Sequence, residues 1–145
     1  MIKKLTIDDY DKMYALWLSC KGMGLNDTDD SREGIRRFLD RNPDTCFGAY
    51  EADMLIGVIL AGNDGRRGFI YHTAVSPKYR GNGVGTALVN AALEALGRLG
   101  ITKTALVVFG KNEVGNAFWE KQGFTVRDDL VYRNRALVEM VRIDT

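Results

Sequence analysis

The residues best suited to binding a ligand are an arginine and three closely spaced glycines that follow a short apolar run. The run, residues 69–75, has β-strand character, and after a short connection come Arg80 and the alternating glycines of residues 81–85. Glycine lets the backbone approach a ligand and adopt positive φ without steric cost. A helix beginning at Val84 would present unpaired N–H groups and the positive end of its dipole to an anion. Arginine adds a permanent charge and a fork of donors suited to phosphate oxygens. The pattern therefore predicts a site for a phosphate-containing ligand.

The glycine spacing does not match the two best-known phosphate loops. Gly81, Gly83 and Gly85 are spaced G-x-G-x-G, whereas the dinucleotide fingerprint is G-x-G-x-x-G followed by a ribose-binding acidic residue, which is missing here. A Walker loop would require Gly-Lys followed by Ser or Thr, and that sequence is also missing. Taken alone, the loop fits either a phosphate ligand or a purely structural turn.

Composition narrows the class of protein. The chain has 145 residues, 46% of them hydrophobic, which predicts one domain over residues 1–145 with a substantial core. A net charge of +1 argues against a nucleic-acid partner. Cys20 and Cys46 are far apart and His72 is the single histidine, so we expect no disulfide and no metal. No apolar stretch is long enough for a membrane span, and we expect a cytoplasmic protein without a membrane partner.

The elements before the glycine loop follow from local signals. Residues 1–6 form a predicted strand, Thr6 caps a helix that extends to about residue 20, and Ser31 begins a second helix that ends at Asn42. Residues 45–51 and 54–61 predict a hairpin, and residues 69–75 predict the next strand. Short connections make these three strands antiparallel.

The elements after the loop predict a crossover to a parallel strand. Apolar residues keep helical spacing over residues 84–99, and the apolar run within residues 101–109 is typical of a strand covered on both faces. A short helix at residues 114–121 and two closing strands, residues 124–132 and 136–143, complete the chain. The predicted fold is α+β, a mixed sheet of about six or seven strands with two helices on each side.

Two motifs together resemble a known family. Residues 75–85, V-x-P-x-Y-R-G-x-G-V-G, resemble the acetyl-CoA-binding motif of the Gcn5-related N-acetyltransferase (GNAT) superfamily. Residues 112–124, N-x-x-x-x-A-F-W-E-K-x-G-F, resemble that superfamily's later Asn…Ala-x-x-Tyr-Glu-Lys-x-Gly-Phe segment. The motifs occur in the expected order, separated by the expected helix and strand. The resemblance implies a GNAT-like sheet with acyl-CoA between two splayed central parallel strands.

The resemblance also implies roles for individual residues. The backbone of Val75 would bind the pantetheine arm, Asn112 would hydrogen-bond the cofactor, and Lys78 and Lys111 are candidate contacts to the nucleotide phosphates. The pyrophosphate would be surrounded by Arg80, Gly81, Asn82, Gly83, Val84, Gly85 and Thr86. No metal is implied.

The implied chemistry is direct transfer of acetyl from acetyl-CoA to an amine, with the Val75 N–H polarising the thioester carbonyl. Trp119 stands where the family often has a tyrosine that protonates the leaving thiolate. An indole N–H has no usable acidity, so Trp119 is expected to pack over the cofactor's sulfur region instead. Tyr71 is the preferred replacement acid, with Tyr79 and Tyr132 as alternatives.

His72 is the candidate base, because its ordinary pKa lies near neutrality. Strand alternation places Tyr71, Thr73 and Val75 on one face and His72 on the other, unless a β-bulge re-aims it. Glu33, Asp64 and a water relay are the alternatives.

The acceptor is expected to be a small-molecule or peptide amine, recognised by residues 21–30, the second helix and residues 63–68. Asp27, Asp29 and Asp30 could attract a cationic amine or only solvate a loop. The predicted terminal strand, residues 136–143, is a candidate for pairing across a homodimer. The alternative functions are a non-catalytic acyl-CoA-binding or sensing module and a nucleotide-binding fold unrelated to CoA.

Overall fold

The computed structural model describes residues 1–143 and contains a five-stranded mixed sheet in the order β1-β2-β3-β4-β5. The first four strands are antiparallel neighbours, and β4 and β5 are parallel. The parallel pair is the predicted result of the crossover through the helix that follows the glycine loop. The strands are β1 Ile2–Lys4, β2 Phe47–Glu51, β3 Met54–Asn63, β4 Gly68–Val75 and β5 Thr104–Ala105.

Four α-helices flank the sheet, and the starts of the first two follow the predicted caps. They are α1 Tyr10–Leu18, α2 Arg32–Arg41, α3 Val84–Arg98 and α4 Glu113–Lys121, with 3-10 turns at Ile7–Asp9 and Pro77–Tyr79. Thr6 forms a capping box with Asp9 ahead of α1, and the Ser31 Oγ accepts a hydrogen bond from the Gly34 N–H at the start of α2. Within residues 1–143, none of the helices has the length and apolar character that crossing a bilayer requires.

Each face of the sheet carries its own hydrophobic cluster. On the α1/α2 face, Trp17 and Met13 are fully buried against strand residues that include Leu60. On the α3 face, Leu88 and Ile59 are fully buried at the centre of the second cluster. Trp17 is therefore a core residue, as its helical spacing predicts.

The predicted fold class and helix count are confirmed, but the predicted strand count is too high. The strand expected over residues 101–109 is reduced to Thr104–Ala105, and Val107 and Phe109 are exposed. The closing strands expected at residues 124–132 and 136–143 are not formed in the part of the chain described, where Arg142 makes a single bridge to Asn26. A strand needs a neighbouring backbone to pair with, and a two-residue β5 offers too short an edge.

Candidate functional site

The two parallel strands diverge after pairing over only two residues. Gly68 pairs with Thr104 and Phe69 pairs with Ala105, whereas β4 continues to Val75. At about 3.3 Å per residue, the remaining six residues of β4 extend roughly 20 Å beyond the pairing. This part of β4 has its β3 side paired and its β5 side open.

Val75 presents its backbone groups to the open side. The Ser76 N–H donates to the Ile56 carbonyl oxygen of β3 at 2.8 Å. Because the backbone groups of successive strand residues point in opposite directions, the N–H and C=O of Val75 point away from β3. The Val75 carbonyl accepts a hydrogen bond from Arg80 Nε at 3.1 Å. Among the described residues, the Val75 N–H is therefore available where the parallel strands separate, whereas its carbonyl is engaged by Arg80.

The glycine loop joins this edge to the start of α3. Gly81 and Gly83 have φ of +80° and +81°, which accounts for glycine at both positions. A Cβ added at either would meet no protein atom within 4 Å, so the space beside the loop is open. Gly83 is the N-cap of α3 and provides no side-chain cap, which leaves N–H groups of the first turn facing outward.

The Arg80 side chain connects the loop to the end of β4 and to Cys20, two residues after the end of α1. Its Nη2 lies 3.6 Å from Cys20 Sγ, and Cys20 Sγ lies 3.7 Å from the Val75 carbonyl oxygen. Asn82 Nδ2 donates to the Tyr79 carbonyl oxygen at 3.2 Å and holds the loop closed. Arg80 is thus placed at the site, with its Nε and Nη2 directed at protein groups.

The second motif packs directly on the start of α3. A Cβ on Gly85 would lie 3.1 Å from the Phe118 ring of α4 and 3.7 Å from Val75 Cγ2. Gln122 Nε2 donates to Thr86 Oγ1 at 3.0 Å. The two motifs, far apart in sequence, therefore form one surface beside the end of β4.

Within this surface, Asn112 and Trp119 have structural contacts of their own. Asn112 Oδ1 accepts from the Gly115 N–H at 2.9 Å and caps α4. The Trp119 ring is half-buried and packs edge-on against Phe118 at 5.0 Å and Phe124 at 5.2 Å between centroids. The indole therefore lies next to the surface on which α3 begins.

A β-bulge changes which side chains of β4 share a face. Leu60 of β3 faces two residues of β4, Tyr71 and His72, because the pairing register shifts there. Ile70 packs in the α3-face cluster, whereas Ala74 packs in the α1/α2-face cluster. Residues four apart in a regular strand share a face, so the bulge has reversed the alternation.

The predicted common face for Tyr71 and Val75 is consequently wrong. Tyr71 packs edge-on against Phe38 of α2 with centroids 5.5 Å apart, while Val75 packs on the α3 face. His72 packs edge-on against Trp17 of α1 with centroids 5.0 Å apart. His72 therefore lies on the face opposite Val75, as predicted, and the bulge formed by Tyr71 and His72 places Tyr71 on the same α1/α2 face.

His72 contacts a buried carboxylate. Its Nε2 lies 2.6 Å from Asp30 Oδ1, and Asp30 is 4% exposed. The Asp30 Oδ2 accepts from the Asn26 N–H at 2.9 Å. Asp27 accepts from the Val141 N–H, and Asp29 accepts from the Asn26 side chain. The three aspartates of this loop therefore have partners within the protein.

The other candidate acids and bases differ in position and pKa. Burial, followed by the nearby Tyr132 and Asp29, raises the pKa of Tyr71. A hydrogen bond with Glu51 raises the pKa of Tyr79. Hydrogen bonds from the backbone of residues 67 and 66 lower the pKa of Asp64, which makes its carboxylate a weaker base. Glu33 is exposed and lies 3.7 Å from Arg36 on α2.

A cavity of about 530 Å³ opens on the Tyr71 side of the sheet, between α2, the β3–β4 connection and β5. Its lining includes residues from two of the three regions expected to recognise an acceptor, the second helix and residues 63–68. Aromatic rings form one wall, with Tyr71 and Phe69 at 4.8 Å between centroids. The charged residues that line it are Arg41, Asp64, Arg67 and Lys103.

Sequence reasoning missed three of these contacts. Asp30 was expected only as part of an acidic loop, and its contact with His72 joins residues 42 apart. Phe118 and Cys20 were read as an apolar helix position and a lone thiol, yet both lie against the site. A sequence motif describes only the spacing of residues along the chain, so it does not predict contacts between residues that are far apart in sequence.

Comparison with known proteins gives consistent matches. The sequence model described as the acetyltransferase (GNAT) family matches residues 10–124. An acetyltransferase of Sodalis glossinidius (strain morsitans) is 32% identical over 132 residues, 91% of this chain and 92% of the relative. The paia N-acetyltransferase from Thermoplasma acidophilum, solved in complex with coenzyme A, has a TM-score of 0.76 at 21% identity and matches 100% of this chain and 98% of its own. Ard1 from Thermoplasma volcanium has a TM-score of 0.78 at 20% identity, over 88% of this chain and 83% of its own.

Proposed function

Because the chain belongs to the acetyltransferase (GNAT) family, we propose that it transfers an acetyl group from acetyl-CoA directly to an amine. The observation that carries the proposal is the open edge of β4, which leads to a glycine loop and the unpaired N–H groups of α3. A backbone edge followed by a helix N-terminus suits a ligand that combines an amide-containing arm with a pyrophosphate.

The residues of the site suit each part of the cosubstrate. The pantetheine arm carries amides, one of which would donate to the Val75 C=O as in an added strand. The pyrophosphate would take the open space beside Gly81 and Gly83, where no protein atom lies within 4 Å of an added Cβ. Arg80 would exchange its bonds with Val75 and Cys20 for a phosphate contact, because a charge-assisted bond is the stronger one. Bound acetyl-CoA would supply the activated acyl group.

Positioning and carbonyl polarisation are the main contributions we assign to the protein. Holding the amine and the thioester in one site replaces a bimolecular encounter with a local one. The Val75 N–H, directed away from β3, would donate to the thioester oxygen as negative charge develops there. Trp119 has no usable acidity, but a thiol with a pKa near 8.5 is already an acceptable leaving group.

The cavity beside Tyr71 is our proposed acceptor site. It offers aromatic surface for an apolar body and three basic residues with one acidic residue at its rim. This charge balance favours an amine that also carries a carboxylate or phosphate over a polyamine, because like charges repel in a partly enclosed site. Tyr71, which lines the cavity, precedes His72 in β4, and both side chains lie on the α1/α2 face.

The test is to follow free thiol while the protein turns over acetyl-CoA with a panel of amines. The panel contains amino acids, their amides, N-terminal peptides and polyamines, and mass spectrometry identifies any acetylated product. We expect amine-dependent thiol release, fastest with acceptors that carry an anionic group. Tight CoA binding by calorimetry without thiol release across the panel would favour the acyl-CoA sensor instead. Absence of CoA binding would refute both.

A further inference from the structure

Asp30 holds the His72 imidazole at one nitrogen. Its Oδ1 lies 2.6 Å from His72 Nε2, and the two side chains are only 5% and 16% exposed. The other carboxylate oxygen, Oδ2, accepts from the Asn26 N–H at 2.9 Å. The Tyr10 hydroxyl donates to the Asp30 backbone carbonyl at 2.6 Å and fixes the residue from α1. Asp30 is therefore held on both its side chain and its backbone.

The imidazole is confined on its other sides as well. Its ring packs edge-on against the fully buried Trp17, with centroids 5.0 Å apart. Regular alternation from Val75 on the α3 face and Ala74 on the α1/α2 face places His72 on this face of the sheet. A ring held by a hydrogen bond and by an aromatic contact has one preferred orientation.

The contact with Asp30 selects one form of neutral His72. An ionised carboxylate only accepts hydrogen bonds, so Nε2 must carry the ring proton and Nδ1 must carry the lone pair. Within residues 1–143, Nδ1 has no hydrogen-bond partner. It is also not one of the fully buried side-chain atoms that lack a partner, which are Trp17 Nε1 and Thr104 Oγ1. Nδ1 is therefore the nitrogen available to an incoming group.

We propose that Asp30 is a positioning residue that holds His72 with Nδ1 free to accept the proton lost by the acceptor amine. The inference rests on the proposed acetyl transfer. An ammonium group gives one proton to Nδ1, and Asp30 stabilises the resulting imidazolium. The free amine then forms the C–N bond to the thioester carbonyl carbon, and the C–S bond breaks. The second proton on nitrogen passes to the thiolate, and the imidazolium releases its proton to solvent.

The protein offers a direct spectroscopic test, because His72 is its single histidine. In an untagged, nitrogen-15-labelled sample, a long-range proton–nitrogen NMR spectrum contains one imidazole and needs no assignment. In the neutral ring, recognised by one protonated and one unprotonated nitrogen, we expect the proton on Nε2 and the lone pair on Nδ1. A proton on Nδ1 in the wild-type protein would overturn the inference.

The kinetic test compares Asp30→Asn with Asp53→Asn. Both changes replace one carboxylate with an amide, but only Asp30 contacts His72, whereas Asp53 is exposed in the turn between β2 and β3. An asparagine at position 30 can donate to Nε2 and so favours the tautomer with its proton on Nδ1. For Asp30→Asn we expect kcat to fall about 10- to 100-fold with the KM for acetyl-CoA unchanged, and the NMR proton to move toward Nδ1. Asp53→Asn should retain wild-type kcat and the Nε2 proton.

The outcomes separate this inference from the proposed function. Thiol release by the wild type combined with equal kcat in the two variants would leave acetyl transfer intact and refute the role of Asp30. Absence of thiol release by the wild type would refute acetyl transfer and the role of Asp30 with it. Thermal unfolding and CoA titration of Asp30→Asn show whether it is folded, and the wild-type tautomer decides the inference even if that variant is not.

Discussion

Replacing Gly83 or Gly100 with alanine provides a matched pair of perturbations at the two ends of α3. The φ angles are +81° at Gly83 and +82° at Gly100, and an added Cβ at either position meets no atom within 4 Å. Gly83 is the N-cap. Gly100 follows the C-cap in a turn where the Ile101 N–H donates to the Leu96 carbonyl at 3.1 Å. Each alanine therefore adds similar left-handed strain and no clash.

The effect on stability should be nearly equal in the two variants. The left-handed conformation costs an L-residue about 1–2 kcal/mol, and reduced freedom of the unfolded chain offsets about 0.4–1 kcal/mol of this. We expect the free energy of unfolding to fall by about 1 kcal/mol in each case. For a chain of this length, that lowers the melting temperature by about 2–4 °C, measurable by circular dichroism.

The effect on CoA binding should differ. Only Gly83→Ala places a methyl group where the proposed pyrophosphate meets the first N–H groups of α3. Loss of one charge-assisted hydrogen bond is worth about 1.5–3 kcal/mol, so the Kd for CoA should rise about 10- to 100-fold in calorimetry. Gly100→Ala should retain the wild-type Kd, because a protein that remains folded binds normally. Equal Kd values in the two variants would refute the placement of the pyrophosphate.

Three further predictions concern single side chains. Arg80→Ala should raise the Kd for CoA about tenfold at low salt and less at high salt, because salt screens the attraction to phosphate. The control is Arg98→Ala, at the far end of α3. If Arg80→Ala weakens CoA binding equally at all salt concentrations, the change has damaged the fold. Asn112→Ala should lower the free energy of unfolding by about 1 kcal/mol, because α4 loses its cap, and Asn112→Ser should restore it. If Asn112→Ser also restores the affinity for CoA, the Asn112 amide does not bind the cofactor. Burial raises the pKa of Cys46 from 9.0 to about 12, so the unfolded thiol ionises first as pH rises. Between about pH 9 and pH 12, ionisation of Cys46 should therefore lower the free energy of unfolding by about 1.4 kcal/mol per pH unit. Cys46→Ala should show a shallower decline in urea unfolding, and parallel slopes would contradict the assignment.

Features with local causes were predictable from the sequence. Ser31 and Thr6 cap their helices because a side-chain oxygen satisfies an N–H within three residues. The apolar positions of α3 are buried because their spacing places them on one side of a helix. The glycines at 81 and 83 mark positive φ because the conformation belongs to the residue itself.

Features that depend on pairing were predicted less well. Alternating apolar residues after residue 124 satisfy the pattern of a strand, but in the part of the chain described no neighbouring strand pairs with them. The bulge at Tyr71 and His72 also escapes a period-two pattern, because one extra residue in β4 depends on the register against β3.

The glycine loop with positive φ before α3 and the order of the two GNAT-like motifs can be predicted from the amino-acid sequence, because both depend on residues that are neighbours in the chain. The contact of the two motifs through Gly85 and Phe118, and that of His72 with Asp30 across 42 residues, are visible only in the folded chain. These contacts arise because α4 packs at the start of α3 and the loop before α2 packs against β4. Packing between elements that are far apart in sequence produces no recognisable residue spacing along the chain.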